Sequence, residues 1–254
     1  MNLAAKNDLP WRIEQTCFNA WPALKEITCN GWLLRFADGL SRRANSANPL
    51  SEEIEAPDGL IGVCEAHYRG HKLPTIFRVP SIIDPSIQDR LEKRGYTKEG
   101  ESLVLYSGIG GLHVKADADV KISSQPVVDW LAAMSRWQKH SEDNRQTYEK
   151  IVRLITVPVA YASVSEQEQV VSLAYGVVHG KLLCVESVIT GEPFRGKGYS
   201  RRVLAALVDW ARSAGAEGVC IQVQVENNPA VALYTKFGLK ELYRYHYRRE
   251  PVAR

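Results

Sequence analysis

A short glycine-rich, basic segment between a strand pattern and a helix pattern most constrains the fold of this chain. The apolar run KLLCVESVIT predicts a strand, SRRVLAALVDWARSAG predicts an amphipathic helix, and residues 195–200 between them read RGKGYS. Glycines allow close backbone approach to a ligand, and a helix N-terminus carries unpaired N–H donors and a partial positive charge. The segment therefore predicts a pyrophosphate cradle. The flanking cations are Arg195, Lys197, Arg201 and Arg202.

Other interpretations of this loop differ in what they require. A Walker A motif needs Ser or Thr after its lysine, whereas Gly198 follows Lys197. A dinucleotide fingerprint needs a third glycine, where this chain has Arg201, and a parallel βαβ unit, whereas the pattern here predicts an antiparallel meander. A tight strand-to-helix turn with a solvated basic face is the structural alternative.

A second motif follows the alternating strand pattern GVCIQVQV. It reads N-x-x-A-x-x-L-Y-x-x-x-G-L from Asn227 onward. The pattern predicts a short helix with Asn228 as N-cap, Pro229 at its first position and Gly238 at its end.

Together the two motifs resemble those of the GNAT superfamily of acetyl-CoA-dependent N-acetyltransferases. The first is similar to the family's Q/R-x-x-G-x-G/A loop at Arg195 and Gly198, with Ser200 where Gly or Ala is usual. The second is similar to its N-x-x-A-x-x-L-Y-x-x-x-G-F pattern, with Leu239 in place of Phe. The element order of residues 113–254 also fits. The resemblance implies an α/β (α+β) fold with a mixed sheet whose central strands splay into a V.

The resemblance also implies roles for individual residues. The strand Val185–Thr190 would pair with the pantetheine amides of acetyl-CoA, and its neighbour Gly218–Val225 would splay away. Tyr234 would protonate the departing thiolate, unless it is a core tyrosine whose hydroxyl group bonds elsewhere. The residues expected to bind the co-substrate are Val188, Ile189, Arg195, Gly196, Lys197, Gly198, Tyr199, Ser200, Asn227 and Tyr234.

The general base has several candidates. Glu186, in the strand before the loop, is the first, and Glu226 is the second. His179 and His246 are weaker candidates, each expected to be a surface histidine. A chain of water molecules without a dedicated base is a further alternative. The family's mechanism is direct transfer in a ternary complex, so we expect no covalent acyl-enzyme and no metal.

A glycine cluster in mid-chain predicts a domain boundary. Gly108, Gly110 and Gly111 separate a first domain, 1–111, from a catalytic domain, 112–254. The first domain is expected to be a degenerate GNAT-like half, as in tandem GNAT proteins, because it has no R-x-x-G-x-G loop. This first domain would form the side of the cleft at which the acceptor binds.

The end of the first half repeats a pattern of the second. PSIQDRLEKRGY and PAVALYTKFGL both predict a helix, a glycine and then an aromatic-rich strand. Aligning Gly95 with Gly238 places Leu91 opposite Tyr234, so the first half lacks the phenol.

Earlier in the chain, Asp38-Gly39 predicts a hairpin turn between two strands. Trp32 is expected in the core. Arg35, Arg42 and Arg43 are expected on a solvated face rather than facing a substrate.

Composition limits the remaining classes of partner. Lys and Arg number 32 against 29 Asp and Glu, and this balance predicts no nucleic-acid partner. No apolar run spans a bilayer and no secretory leader is visible, so we expect no membrane association. The five cysteines are odd in number and widely spaced, with no CxxC pair, which predicts no disulfide framework, no zinc site and a cytoplasmic location. Cys184 and Cys220 lie in apolar strand-like runs, which predicts buried structural thiols rather than nucleophiles. A monomer or homodimer is expected.

Two functional classes fit these patterns. One is an active N-acetyltransferase acting on a primary amine, and the other is a catalytically silent acyl-CoA-binding regulatory module. Tyr234 favours the enzyme. The sequence does not name the acceptor, so amino acids, small-molecule amines, antibiotics and proteins all stay open.

Overall fold

The computed structural model describes residues 9–115 and 117–251, which contain seven α-helices and eleven β-strands. The helices are α1 (Leu9–Ala20), α2 (Asp58–Gly70), α3 (Ser86–Lys93), α4 (Val128–Gln138), α5 (Glu142–Arg153), α6 (Tyr199–Ser213) and α7 (Asn228–Phe237). The strands are β1 (Lys25–Cys29), β2 (Trp32–Phe36), β3 (Ala47–Pro49), β4 (Ile76–Pro80), β5 (Thr97–Gly108), β6 (Lys121–Ser123), β7 (Val159–Glu166), β8 (Gln169–His179), β9 (Leu182–Thr190), β10 (Gly218–Gln224) and β11 (Lys240–Arg249).

The chain divides into two compact units. The first contains the chain up to residue 22, residues 105–223 and residues 227–241, and the second contains residues 23–104, 224–226 and the chain from residue 242. These limits differ from the expected domain boundary after Gly111, which stays a prediction about the two halves of the sequence.

The first unit has a mixed sheet in the strand order β10-β9-β8-β7-β6. Strands β6 to β9 pair antiparallel, and β10 pairs parallel to β9. Cys184 of β9 faces α1, since its Sγ lies 3.7 Å from that of Cys17. The adjacent Leu183 packs near Leu207 of α6, both close to Gly176. Because successive strand residues face opposite sides, α1 and α6 cover opposite faces of this sheet.

The pairing of β9 with β10 stops partway along both strands. It runs from Leu182↔Gly218 to Val185↔Ile221, while β9 continues to Thr190 and β10 to Gln224. The two strands therefore separate beyond Val185, which confirms the expected V-shaped splay.

A β-bulge lies at the start of the separated part of β9. On the β8 side, Glu186 pairs with Tyr175 and Ile189 pairs with Leu173, so β9 carries an extra residue. Ser187 has a φ of +55°, in the left-handed region. The hydroxyl group of Tyr148 in α5 donates a hydrogen bond to Ser187 Oγ at 2.9 Å. A bulge of this kind redirects side chains and bends the strand.

The second unit has the strand order β1-β2-β3-β4-β11-β5. The hairpin lies between β1 and β2, and it turns at Asn30 and Gly31, whose φ angles are +44° and +82°. Such a turn needs positive φ angles, which Asn-Gly tolerates. The turn predicted at Asp38-Gly39 is also present, with φ angles of +50° and +77°, and β2 pairs antiparallel with β3 after it. The second strand begins later than predicted, because a 3₁₀ turn, Arg42–Ala44, precedes Ala47.

Other predicted elements differ in extent. The sequence pattern predicts a helix over residues 11–27 and a strand over residues 113–122. The helix ends at Ala20, before Pro22, and the strand is reduced to β6. Residue 116 of that predicted strand and the first eight residues, which entered the expectation of no leader, lie outside the described residues. None of the helices within the described ranges has the length and hydropathy that a membrane span requires.

The two aligned helices end in the same way. Gly95 and Gly238 both have positive φ, +82° and +110°. After Gly95, the N–H of Tyr96 donates to the carbonyl of Leu91 at 3.0 Å, and after Gly238 the N–H of Leu239 donates to that of Tyr234 at 3.1 Å. These bonds close the C-terminal turn of each helix. Leu91 and Tyr234 provide the accepting carbonyl groups, and these are the two residues that the sequence alignment places opposite each other.

Burial of the first-half candidates is mixed. Trp32 lies in the core, as predicted, but Arg35 is also buried. Its Nε donates to Glu26 Oε1 at 3.1 Å and its Nη1 to the carbonyl of Arg43 at 3.0 Å. The predicted solvated face is therefore wrong for Arg35. Arg42 is half-buried and forms an ion pair with Glu99 at 3.7 Å.

We expect Gly238→Ala to destabilise the chain more than Gly215→Ala. Both glycines have positive φ, +110° and +80°, so each alanine costs about 1–2 kcal/mol of backbone strain. A Cβ at Gly238 would also lie 2.9 Å from Leu112 Cδ2, whereas at Gly215 it would meet nothing within 4 Å. Urea unfolding measures the difference. Equal losses would show that Leu112 yields without cost.

Candidate active site

A cleft of about 620 Å³ in the first unit brings together most of the predicted co-substrate residues. Its walls come from the separated end of β9, the glycine loop, the start of α6, one face of α7 and the end of α4. The predicted residues on its surface are Val188, Ile189, Arg195, Gly196, Gly198, Tyr199, Ser200, Asn227 and Tyr234.

The glycine loop borders open space in the cleft and leads into the backbone N–H groups of the first turn of α6. Gly196 and Gly198 have φ angles of +79° and +82°, and a Cβ on either would meet no atom within 4 Å. Gly198 is the N-cap of α6 and makes no side-chain capping bond. The amides of the first turn of α6 therefore point to the cleft as an anion site.

The cations around the loop are divided between the cleft and other partners. Arg195 and Arg201 line the cleft. Lys197 does not: its Nζ lies 3.9 Å from Glu166 Oε2 and 5.5 Å from the centre of the Phe194 ring. Lys197 was predicted to bind the co-substrate, and the structure places it outside the residues that line the cleft.

Arg202 is also directed away from the cleft lining. Its guanidinium group bonds Asp117 at 2.5 Å and Asp119 at 3.1 Å. The hydrogen bond from Arg202 lowers the pKa of the Asp117 carboxyl group below its usual value. Two of the four predicted loop cations thus have carboxylate partners, and Arg195 and Arg201 supply the positive charge at the cleft.

Ser200 departs from the family pattern, and the structure shows what its hydroxyl group does. Ser200 Oγ lies 2.7 Å from Thr190 Oγ1, which lies 2.8 Å from Ser172 Oγ. Ser172 in turn donates to the carbonyl of Ile189 at 3.0 Å. This chain of hydroxyl groups ties the first turn of α6 to the separated end of β9.

Tyr234 combines burial with an available hydroxyl group. It lies on α7, is 6% exposed and lines the cleft. Among the described residues, no group hydrogen-bonds its phenol oxygen. Burial, and then the charge of Glu186, raise the pKa of Tyr234 above its ordinary value, so the phenol stays protonated at neutral pH. The alternative was a core tyrosine whose hydroxyl group bonds elsewhere, and no such partner exists among the described residues.

The N-terminus of α7 is set by Asn227. Its side-chain oxygen accepts a hydrogen bond from the N–H of Ala230 at 3.3 Å. Asn227 is therefore the N-cap, and the prediction of Asn228 for that position is wrong. The cap holds Asn227 at the cleft edge, with Pro229 and Ala230 beside it.

Glu186 lies where the two central strands part. It is the first residue of β9 beyond the last pair with β10, and it is 4% exposed. The thiol group of Cys184 lies 3.8 Å from Glu186 Oε1. Its position next to the splay fits a base, although it does not line the cleft itself.

The other candidate bases lie in different surroundings. Glu226 is exposed and belongs to the second unit. His179 is half-buried at the end of β8. His246 is 8% exposed, so its prediction as a surface histidine is wrong. Burial, followed by the charges of Lys98 and Arg248, lowers the pKa of His246 to about 4.

Two aromatic side chains that no sequence motif indicates form one wall of the cleft. Trp137 at the end of α4 and Phe194 before the loop both line it, with ring centres 6.1 Å apart. Trp137 Nε1 donates to the carbonyl of Val170 at 3.1 Å. A Cβ on Gly191 would lie 2.7 Å from the indole, so this glycine permits the contact. Only the tertiary contact distinguishes Trp137 from an ordinary core residue.

Fold and cleft together define an acetyltransferase of the GNAT type. Residues 11–248 match the family described as "Probable histone acetyltransferase Rv0428c C-terminal", and the chain belongs to this family.

Relatives and solved structures agree with this assignment. "Uncharacterized N-acetyltransferase YobR" of Bacillus subtilis (strain 168) is 24% identical over 242 residues, covering 93% of this chain and 97% of the relative. A GCN5-related N-acetyltransferase from Kribbella flavida shares the fold, with a TM-score of 0.74 at 12% identity over 98% of each chain. A tandem GNAT protein from the clavulanic acid biosynthesis pathway has a TM-score of 0.64 at 11% identity, over 88% of this chain and 79% of that one.

We expect Gly198→Ala to weaken acetyl-CoA binding strongly and Gly215→Ala to leave it unchanged. The two substitutions share the same backbone strain and the same lack of protein contacts, and only Gly198 borders the cleft. Calorimetry gives the affinities. A ligand at 100 times its Kd stabilises a protein by about 2.7 kcal/mol, so a thermal shift is a second measurement. Equal affinities in the two variants would contradict the cradle.

Proposed function

We propose that this chain transfers the acetyl group of acetyl-CoA to a primary amine, by direct attack of the amine on the thioester in a ternary complex. One observation carries the proposal: a buried phenol without a described partner, an unpaired strand edge and an anion-binding loop border the same cleft. Acetyl-CoA offers a thioester, a pair of amides and a pyrophosphate, and these three features match it.

The residues present fit this co-substrate. The amides from Gly196 to Ser200, with Arg195 and Arg201, would hold the pyrophosphate. Beyond Val185, the β10 side of β9 has no partner strand among the described residues, so its backbone there is available to pair with the extended amide arm like an added strand. When bound, acetyl-CoA supplies the activated acetyl group.

Tyr234 is suited to act as the general acid. A phenol that stays protonated in the pH range of the reaction can donate its proton to the sulfur atom as the carbon–sulfur bond breaks. The raised pKa of Tyr234 keeps that proton in place until the transfer.

Glu186 is suited to accept a proton from the acceptor. An ammonium group must lose a proton before its nitrogen attacks, and the Glu186 carboxylate lies where β9 leaves β10. Its burial limits competition from bulk water. A proton accepted by Glu186 would pass to solvent after product release.

The acceptor is proposed only as a class. A screen should include lysine-containing peptides, amino acids, small amines and aminoglycosides, with release of free CoA as the signal. The matched family's description names a histone acetyltransferase, which justifies histone-tail peptides in the panel. Tight binding of acetyl-CoA without acetylation of any amine in the panel would favour the regulatory module instead.

We expect Tyr234→Phe to lower kcat by about 10²–10⁴ with little change in acetyl-CoA affinity. The substitution removes one oxygen atom and leaves the ring packed. Steady-state kinetics with the acceptor found in the screen, together with calorimetry, measure both quantities.

Tyr161→Phe is the matched control. The hydroxyl group of Tyr161 donates to the carbonyl of Val152 at 3.0 Å, so its loss costs about 1 kcal/mol of stability and leaves turnover intact. Wild-type turnover in Tyr234→Phe would show that the thiolate leaves unprotonated or takes its proton from water.

Glu186→Gln and Glu226→Gln separate the candidate bases. We expect the first to lower kcat by about 10²–10⁴, since glutamine keeps the shape but accepts no proton, and the second to have little effect. Circular dichroism checks that each variant is folded. A large loss only in Glu226→Gln would assign the base to that residue, and wild-type rates in both would favour a chain of water molecules.

A further inference from the structure

Three cysteines from distant parts of the sequence meet in the core of the first unit. Cys17 lies on α1, Cys184 on β9 and Cys220 on β10. Their Sγ atoms all lie within 4.8 Å of one another, and those of Cys17 and Cys184 are 3.7 Å apart. Cys17 is 6% exposed, and the other two are fully buried. We refer to these three residues as the thiol cluster.

The fold explains why the thiol cluster forms. Cys184 and Cys220 are direct partners in the parallel pairing of β9 and β10, so their side chains leave the same face of the sheet. Helix α1 packs on that face and places Cys17 above the pair. The cluster lies one residue before the splay, in the part of the sheet where the two strands are held together by hydrogen bonds.

Two buried acidic side chains lie next to the cluster. Glu14 precedes Cys17 by three residues on α1 and has no exposed surface, and Glu186 follows Cys184 by two residues on the same face of β9. Oxygen donors therefore lie beside the three sulfur atoms.

We propose that the thiol cluster binds one divalent thiophilic ion of the zinc class, with the carboxylate group of Glu186 as the fourth donor. Zinc–thiolate bonds of about 2.3 Å in a tetrahedron place two sulfur atoms about 3.8 Å apart. The Cys17–Cys184 distance of 3.7 Å meets this value. Glu186 Oε1 lies 3.8 Å from Cys184 Sγ but is not close to all three sulfur atoms, so the Glu186 side chain has to turn toward Cys17 and Cys220 to complete the tetrahedron.

A disulfide fits the cluster less well. A disulfide bond needs sulfur atoms about 2.05 Å apart and joins only two of them. Here three sulfur atoms converge, and a Cys17–Cys184 bond would leave Cys220 beside it as an unused thiol. Three converging donors are the arrangement of a metal site.

Binding replaces protons by the ion. Each of the three thiols releases one proton to solvent as its sulfur atom bonds the metal, so three protons leave for one divalent ion. Because the cluster is buried, the ion would be acquired during folding or a local opening of α1. The sequence predicts no metal because its cysteines are widely spaced and include no CxxC pair.

Occupancy has a consequence for the proposed acetyl transfer. Glu186 cannot bind the ion and accept a proton from the acceptor at the same time. The metal-loaded chain should therefore turn over more slowly than the metal-free chain. This consequence rests on the proposed function, whereas metal binding itself does not.

Metal analysis of the whole chain tests the site. The wild type and Cys64→Ser, purified from zinc-supplemented cells and desalted, should each retain about one zinc ion per chain by mass spectrometry, as expected for a closed structural site. Cys17→Ser and Cys220→Ser should retain none. Cys64 is a fair control because it is equally buried but belongs to the second unit.

A spectroscopic titration keeps the test valid if a variant folds poorly. Adding Cd²⁺ to the reduced, metal-free wild type should produce a thiolate-to-cadmium absorption band that saturates at one ion per chain. A folded, reduced wild type that holds no zinc and gives no such band would overturn the proposal. So would loss of the metal from Cys64→Ser, or a count of three rather than five free thiols in the denatured, unreduced chain, which would indicate a disulfide.

Discussion

The separation of β9 from β10 beyond Val185 and Ile221 is the constraint on which the site depends. Before this point the strands share hydrogen bonds and carry two of the three residues of the thiol cluster, Cys184 and Cys220. After it, β9 bears Glu186, bulges at Ser187 and presents a free edge to the cleft. An unpaired strand edge in a core would be costly, so the geometry is stable only where a ligand or water satisfies it.

Local signals in the sequence were sufficient for the parts of the site that lie within one turn or helix. Glycines at positive φ, Pro229 at the start of α7 and the alternation of β10 all depend on neighbouring residues. For that reason the glycine loop and the cleft helices α6 and α7 are predictable from the sequence. The Asn30–Gly31 turn is an equally local signal, but the helix pattern that continues past Ala20 in the sequence hides strand β1.

Features that depend on long-range contacts were not predictable in this way. The thiol cluster joins residues 167 positions apart in the chain, so no ligand spacing reveals it. The burial of Arg35 follows from its bonds to Glu26 and to a backbone carbonyl. Similarly, the charge at the loop is reduced because Lys197 and Arg202 have acidic partners from other segments. A count of charges near a motif overestimates its cationic strength when such partners are unknown.

The matching helix ends at Gly95 and Gly238 bear on how chemistry and folding are coupled in this chain. In each, the bond that closes the helix uses only the backbone carbonyl of residue 91 or 234, and makes no demand on the side chain. Leucine and tyrosine therefore both permit this backbone bond. A phenol at residue 234 and none at residue 91 are therefore compatible with the same backbone turn. The number of such phenols in a chain of this kind can change while the turn that ends each helix is kept.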